Sequence, residues 1–186
     1  MIQIKQADPS HVRGIMRVCS GGYWATYGDM YTDSYIERVI EEFYNEERVL
    51  KEVKERNWHW GGYFVAVEND EVVGAAGGGM ISESDGELFV LYIDPARRNE
   101  GIGTMLLDAV THQQKHDFKA DKQWVSVQKG NEKGIPFYEA RGFVFKREKE
   151  SYRDEGEGYV SLRYERELDV WAGRSGVSGR GGQGFC

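Results

Sequence analysis

Alternating apolar and polar positions from Ile2 to Ala7 predict a short strand, and Asp8-Pro9-Ser10 supplies helix-starting residues ahead of a helix over His11 to Tyr27. Thr32-Asp33-Ser34 offers a second N-cap, after which Ile36, Val39, Ile40 and Phe43 recur at helical spacing, so one helix is expected over Tyr35 to Arg56 with an acidic outer face. The period then changes. Tyr63 to Val67 and Val72 to Met80 read as strands joined by the turn Glu68-Asn69-Asp70-Glu71. Glu87 to Asp94 is apolar on both faces, which places it centrally in a sheet covered from both sides.

Pro95 ends that strand, and a polar, glycine-containing connection over Ala96 to Gly103 leads into a helix with Met105, Leu106, Ala109 and Val110 on one stripe. Trp124 to Gln128 is a further strand. Asn131 to Ala140 reads as a helix stopped by Arg141-Gly142, with Pro136 arguing for a start later than Asn131 because it lacks an N–H. Two strands follow, Phe143 to Tyr152 and Gly158 to Glu167. A strand, two helices, three strands, a helix, a strand, a helix and two strands make an α+β (α/β) domain with a mixed sheet. This domain is expected to occupy residues 1–168. Glycines at 173, 176, 179, 181, 182 and 184 mark residues 169–186 as a glycine-rich C-terminal tail in which Trp171 is the candidate docking residue.

Composition narrows the function classes. The chain has 186 residues, enough for one compact domain. Its 24 Lys and Arg against 31 Asp and Glu give −7, which disfavours nucleic acid and anionic membrane and suits a cationic partner. No N-terminal export signal or spanning segment is evident, and two cysteines, Cys19 and Cys186, make neither a disulfide framework nor a zinc spacing. A cytoplasmic protein is expected. His112 and His116 stand at i and i+4 without an evident acidic third ligand, so no metal is expected.

The chemistry-bearing stretch is Arg98-Asn99-Glu100-Gly101-Ile102-Gly103-Thr104, between an apolar strand and an amphipathic helix. Glycines at 101 and 103 permit positive φ and close backbone approach. The helix's first turn presents unpaired N–H groups and a positive dipole end, a setting for a diphosphate that Arg98 reinforces. Gly103 is followed by Thr104-Met105, not Lys then Ser or Thr, so this is no P-loop; Leu106 where a third small residue belongs also disfavours a nicotinamide fingerprint.

With Arg98, Gly101 and Gly103 in the pattern Arg, two residues, Gly, one residue, Gly, the chain resembles the GCN5-related N-acetyltransferases. A later set, Asn131, Phe137, Tyr138, Gly142 and Phe143, fits that family's second motif. The resemblance runs from about Ile2 to Leu168 and implies a central splayed mixed sheet flanked by helices. It implies acetyl-coenzyme A as co-substrate, its diphosphate held by residues 98 to 104 and its pantetheine arm by the main chain of Leu91, Tyr92 and Ile93, whose N–H groups also face the developing oxyanion. Asn131 and Tyr138 are seven residues apart and so are expected about two turns along one helical face, with Asn131 assigned to the distal arm of the cofactor. Tyr138 is the general-acid candidate, since a phenol of pKa about 10 can protonate a thiolate whose conjugate acid lies near ~8.5. Glu87 begins the strand before the loop, as does a glutamate base in some relatives, and burial near Leu88 and Phe89 would tune it; ordered water is the other acceptor for the amine proton.

Tyr23, Trp24, Tyr27, Tyr31 and Tyr35 gather beside Asp29 and Asp33, a combination that can hold a cation and that makes Tyr27 and Tyr31 candidate acceptor-binding residues. Helix packing is the competing reading of the same rings. The expected activity is N-acetyl transfer to a primary amine of a small molecule, polyamine or peptide, by direct attack in a ternary complex without a covalent Cys19 intermediate. A catalytically silent acyl-coenzyme A sensor is the alternative, and dimerisation through terminal strands, common among relatives, is carried over as an option.

Overall fold

A computed structural model describes residues 1–150 and 158–169. Residues 170–186, with Trp171, Cys186 and nearly all of the glycine-rich tail, lie outside them, as does Tyr152. The chain runs β1 (Gln3–Gln6), α1 (Val12–Tyr27), α2 (Asp33–Phe43), α3 (Glu46–Lys54), β2 (Tyr63–Glu68), β3 (Glu71–Met80), β4 (Asp85–Ile93), α4 (Ile102–His112), β5 (Lys122–Gln128), α5 (Gly134–Glu139), β6 (Val144–Glu150) and β7 (Val160–Glu167).

The long helix expected over Tyr35 to Arg56 is two helices. Asn45 accounts for the break: its Oδ1 accepts the Arg48 N–H at 2.9 Å, capping α3 while α2 ends at Tyr44. Glu46 and Glu47 then lie at the positive end of α3, with Lys51 and Lys54 at its negative end. Hydrophobic spacing carries across such a junction; the cap decides. Thr32 caps α2 as expected, accepting the Tyr35 N–H at 3.3 Å. Asn69 and Asp70 both take positive φ, 51° and 62°, in the two-residue turn between β2 and β3.

The strands form one seven-stranded sheet in the order β1-β2-β3-β4-β5-β7-β6. Neighbours are antiparallel except β4 and β5, which are parallel and joined through α4. β4 is therefore central, as its two-sided apolar pattern requires. α1 and α3 cover one face, packing Val12, Ile15, Val49 and Val53 on Val65, Val67 and Ala75. On the other face α4 sets Ile102, Leu106 and Val110 on Ala66, Ala76, Val125 and Val127. Each fully buried aliphatic side chain contributes roughly 1.5–3 kcal/mol, so these two layers hold the central strands in register.

Two irregularities shape the centre. The β4–β5 rungs run from Asp85↔Lys122 to Leu88↔Val125 and stop, although both strands continue. Opposite, the β3–β4 register shifts between Gly77 and Gly78, which pair with Val90 and Leu88, leaving Phe89 as an extra bulged residue that is 49% exposed. Gly78 is required here, because a Cβ at that position would lie 2.2 Å from the Glu87 carbonyl oxygen.

Candidate active site

Beyond Leu88 and Val125 the two parallel strands part, and a cleft of about 540 Å³ opens between them. Leu91, Tyr92 and Ile93 line it. Their other edge stays paired with β3 through Ala76, Ala75 and Gly74, so the edge facing β5 carries main-chain donors and acceptors with no strand opposite. The bulge that the sequence gives no sign of lies at the start of this free edge.

At the mouth stands the N-terminus of α4. Gly101 occupies its N-cap position at φ 79°, in the left-handed region, and contributes no side-chain cap. The first-turn N–H groups of Ile102, Gly103 and Thr104 therefore remain available to an anion. Arg98 and Asn99 also line the cleft. Glu100 does not: its carboxylate receives Arg97 Nε at 2.9 Å and Nη2 at 2.7 Å, and Arg97 reaches Glu68 at 2.6 Å. The adjacent arginines thus divide the work, Arg97 tying the loop down and Arg98 free of ion pairs among the described residues.

Arg141 is a second cation at this mouth that sequence reasoning missed. Its Nη2 donates to Thr104 Oγ1, its Nη1 to the Phe137 carbonyl at 2.7 Å, and the guanidinium lies 3.7 Å from the Phe137 ring centroid. Nε is buried without a partner. Its place directly before Gly142-Phe143 and four residues after Phe137 was the available signal. The donors gathered here, helix N–H groups, Arg98 and Arg141, fit a diphosphate-bearing ligand in kind and in sign.

Asn131 and Tyr138 both line the cleft, but not as two points on one helical face. α5 begins only at Gly134, as Pro136 suggests, and Asn131 precedes it as a cap, its Oδ1 accepting the Gly134 N–H at 2.8 Å and the Lys133 N–H at 3.2 Å. Burial raises the pKa of the Tyr27 phenol beside them, an effect that the Tyr92 and Asn131 side chains oppose. Gly142, at φ 86°, turns the chain so that Phe143 packs edge-on against Tyr138 at 5.5 Å. Burial among these rings pushes the Tyr138 phenol above its ordinary pKa, because a phenolate there would lose hydration.

Glu87 is set differently from the expectation. Instead of apolar neighbours it faces Arg163 on β7, whose two terminal nitrogens reach both carboxylate oxygens, Nη1 to Oε1 and Nη2 to Oε2 at 3.2 Å. Glu87 is not among the cleft-lining residues. Arg163 lies on the strand expected over Gly158 to Glu167, but no local pattern tells which residue it meets.

The tyrosines resolve into packing plus one cleft residue. Tyr31 stacks on Tyr27 at 4.9 Å, meets Tyr35 at 4.7 Å and Tyr159 at 4.3 Å, and is buried behind the cleft. Tyr27 reaches the cleft itself. Asp29 and Asp33 are exposed on the adjoining segment. Cys19 is buried and its thiol is pushed well up in pKa by desolvation, a setting opposite to that of a nucleophile. The His112 and His116 rings lie 4.3 Å apart on α4 and its π-helical extension, and no group of three or more metal-ligating side chains converges among the described residues. No helix among the described residues is long and apolar enough to cross a membrane.

Residues 24–143 match the model of the acetyltransferase (GNAT) family. A spermidine N(1)-acetyltransferase of Thermoplasma acidophilum is 27% identical over 143 residues, 76% of this chain and 88% of that protein. The crystal structure of PaiA N-acetyltransferase from the same organism, in complex with coenzyme A, superposes with a TM-score of 0.77 at 22% identity, covering 90% of this chain and 99% of that one. The ribosomal-protein-S18-alanine N-acetyltransferase of Escherichia coli gives 0.66 at 14% identity, covering 92% and 96%. Identities this low speak for a shared fold, the seven-stranded sheet with its parallel central pair.

Proposed function

The chain belongs to the acetyltransferase (GNAT) family, and from that premise we propose that it transfers an acetyl group from acetyl-coenzyme A to a primary amine of a small molecule, polyamine or peptide, by direct attack in a ternary complex. The observation that carries this reading is the parting of β4 from β5, with anion donors at its mouth and a half-buried phenol on its wall. A polyamine is the first acceptor to test: a spermidine N(1)-acetyltransferase is among the relatives, and the chain's net charge of −7, with Asp29 and Asp33 exposed beside Tyr27, suits a polycation.

In this reading, Arg98, Arg141 and the N–H groups of residues 101 to 104 hold the diphosphate. Asn99 flanks it, and Glu100 serves through Arg97 by fixing the loop. The free edge of Leu91, Tyr92 and Ile93 bonds the pantetheine arm, and its N–H groups near the Phe89 bulge stabilise negative charge developing on the carbonyl oxygen. Tyr138 donates its proton, or a hydrogen bond, to the departing sulfur. Asn131 caps α5 and borders the arm; Tyr31 supports Tyr27 from behind. The ammonium proton leaves to water on the acceptor side, since both Glu87 oxygens are engaged by Arg163.

Acetyl-coenzyme A with spermidine, spermine, simple primary amines and short peptides, followed by thiol release and mass spectrometry of the acceptor, tests the proposal. Acceptor-dependent thiol release with a product one acetyl heavier is expected. Tight coenzyme A binding with no acceptor-dependent release across the panel overturns it in favour of a silent acyl-coenzyme A sensor.

A further inference from the structure

Arg163 and Glu87 lie 76 residues apart in sequence and meet at one geometric point, the apex of the cleft. Glu87 pairs with Trp124, the rung before the last between β4 and β5. On β5, Ser126 is the first residue past the last rung, and its partner on β7 is Arg163. The guanidinium therefore spans from β7, across β5, to β4 at the level where β4 and β5 separate. Besides the two carboxylate contacts, Arg163 Nη1 donates to Ser126 Oγ at 2.7 Å, and Ser126 lines the cleft. The guanidinium also lies 5.1 Å from the Trp124 ring centroid, while the indole N–H donates to Asp85 Oδ2 at 2.9 Å.

The same level is pinned from the opposite face of the sheet. Gln114, fully buried in the π-helical turn Gln113–Asp117 that extends α4, donates from Nε2 to the Glu87 carbonyl at 2.9 Å and the Gly79 carbonyl at 3.3 Å. Glu87 is thus held by its side chain on one face and its main chain on the other, two residues before the bulge at Phe89. The side chains of Arg163 and Glu87 are 7% and 13% exposed, so this is a largely desolvated ion pair, an arrangement that fixes geometry more dependably than it adds stability.

We infer that Glu87 and Arg163 are positioning residues that act as one latch: they fix where β4 leaves β5 and so set the cleft's width and the aim of the free N–H groups at the bulge. The latch rests on the acetyl-transfer reading for its catalytic consequence and on the fold alone for its effect on coenzyme A binding. It assigns Glu87 a role different from accepting the amine proton. A planar fork is needed to meet both oxygens and Ser126 together, so lysine cannot replace Arg163 in full.

The experiment compares Glu87→Gln, Arg163→Lys, Arg163→Met and the double variant Glu87→Gln/Arg163→Met in the full chain. It measures the coenzyme A dissociation constant by calorimetry, kcat and KM with spermidine over a range of pH, and thermal unfolding by circular dichroism. Misplacement at a reacting centre can cost on the order of 100-fold, so Arg163→Met is expected to lower kcat by about that factor and weaken coenzyme A by about tenfold. Glu87→Gln keeps a neutral acceptor for the guanidinium and is expected to lose no more than about tenfold, with the acid limb of the pH profile unmoved. The double variant should lose less than the product of the single losses, as two halves of one device do.

Loss of the acid limb in Glu87→Gln, which marks a general base, overturns the latch. So do wild-type coenzyme A affinity and kcat in Arg163→Lys and Arg163→Met. If Arg163→Met fails to fold, Arg163→Lys and Glu87→Gln decide. Should no amine support turnover in the wild type, the acetyl-transfer reading fails, while the coenzyme A affinities of the same variants still test whether the latch sets the cleft.

Discussion

At its mouth the cleft presents main chain, with N–H groups of a helix start that a left-handed glycine leaves uncapped, whereas its aromatic end presents side chains, Tyr27, Tyr92, Asn131 and Tyr138, packed on other rings. The mouth depends on backbone direction and on one or two charges added to it. Most side chains there could change without altering the donors. The aromatic end depends on packing, because each ring is placed by the next and the ladder from Tyr23 to Tyr159 ties α1, α2, β4 and the start of β7 together. A substitution at one end should therefore read out in a different quantity from a substitution at the other.

The largest effect is expected where the ladder is cut. Tyr31→Ala removes a buried ring that packs with four others and should lower unfolding free energy by about 3 kcal/mol, measured by urea denaturation, and raise the amine KM with little change in coenzyme A affinity. Equal losses of amine and coenzyme A affinity would erase the distinction between the two ends.

Tyr138→Phe comes next. It keeps the packing against Phe137 and Phe143, so coenzyme A affinity should stay within about twofold while kcat falls roughly 100-fold, the scale of a lost general acid. Burial raises the phenol's pKa, so the proton donor persists to higher pH, and the wild-type kcat should show no Tyr138-dependent decline below about pH 10. A rate profile falling with a midpoint of 8 to 9, absent in Tyr138→Phe, would contradict this.

The smallest contrast sharpens the mouth. Arg98→Ala should weaken coenzyme A about tenfold at low salt, through loss of a charge-assisted contact, and the difference should shrink as salt rises. Arg97→Ala loosens the loop by releasing Glu68 and Glu100, but those ion pairs are weak and no ligand-facing cation is lost, so coenzyme A should weaken only about two- to threefold. Similar losses for both would mean that the loop's shape, not the free charge of Arg98, holds the ligand.

The two ends also differ in how far they could be read in advance. The mouth is built from contiguous residues, Arg98 to Thr104, whose spacing already states a turn, a helix start and a cation. Asn131, Tyr138, Gly142 and Phe143 were legible as a set, but the reason differed from the expected helical phase: Asn131 caps α5 from outside it. The break between α2 and α3 went unread because Asn45 looks like any polar residue on a helix until its side chain is seen turned back onto the Arg48 N–H. Tyr31 and Tyr27 looked equivalent in spacing and are not, since only Tyr27 reaches the cleft.

The sequence by itself determined most of the alternation of elements, the central place of the Glu87 to Asp94 strand, the glycine-led start of α4 and the Phe137-Tyr138 pair, all written in intervals of a few residues where propensity, capping and periodicity act. Only tertiary structure decided where β4 and β5 part, that Phe89 bulges, that Arg141 stands beside Thr104, and that Glu87 meets an arginine from β7. Those features arise when segments dozens of residues apart are packed onto one sheet, and the contacts that select them are pairwise, desolvated and silent in any single stretch of chain.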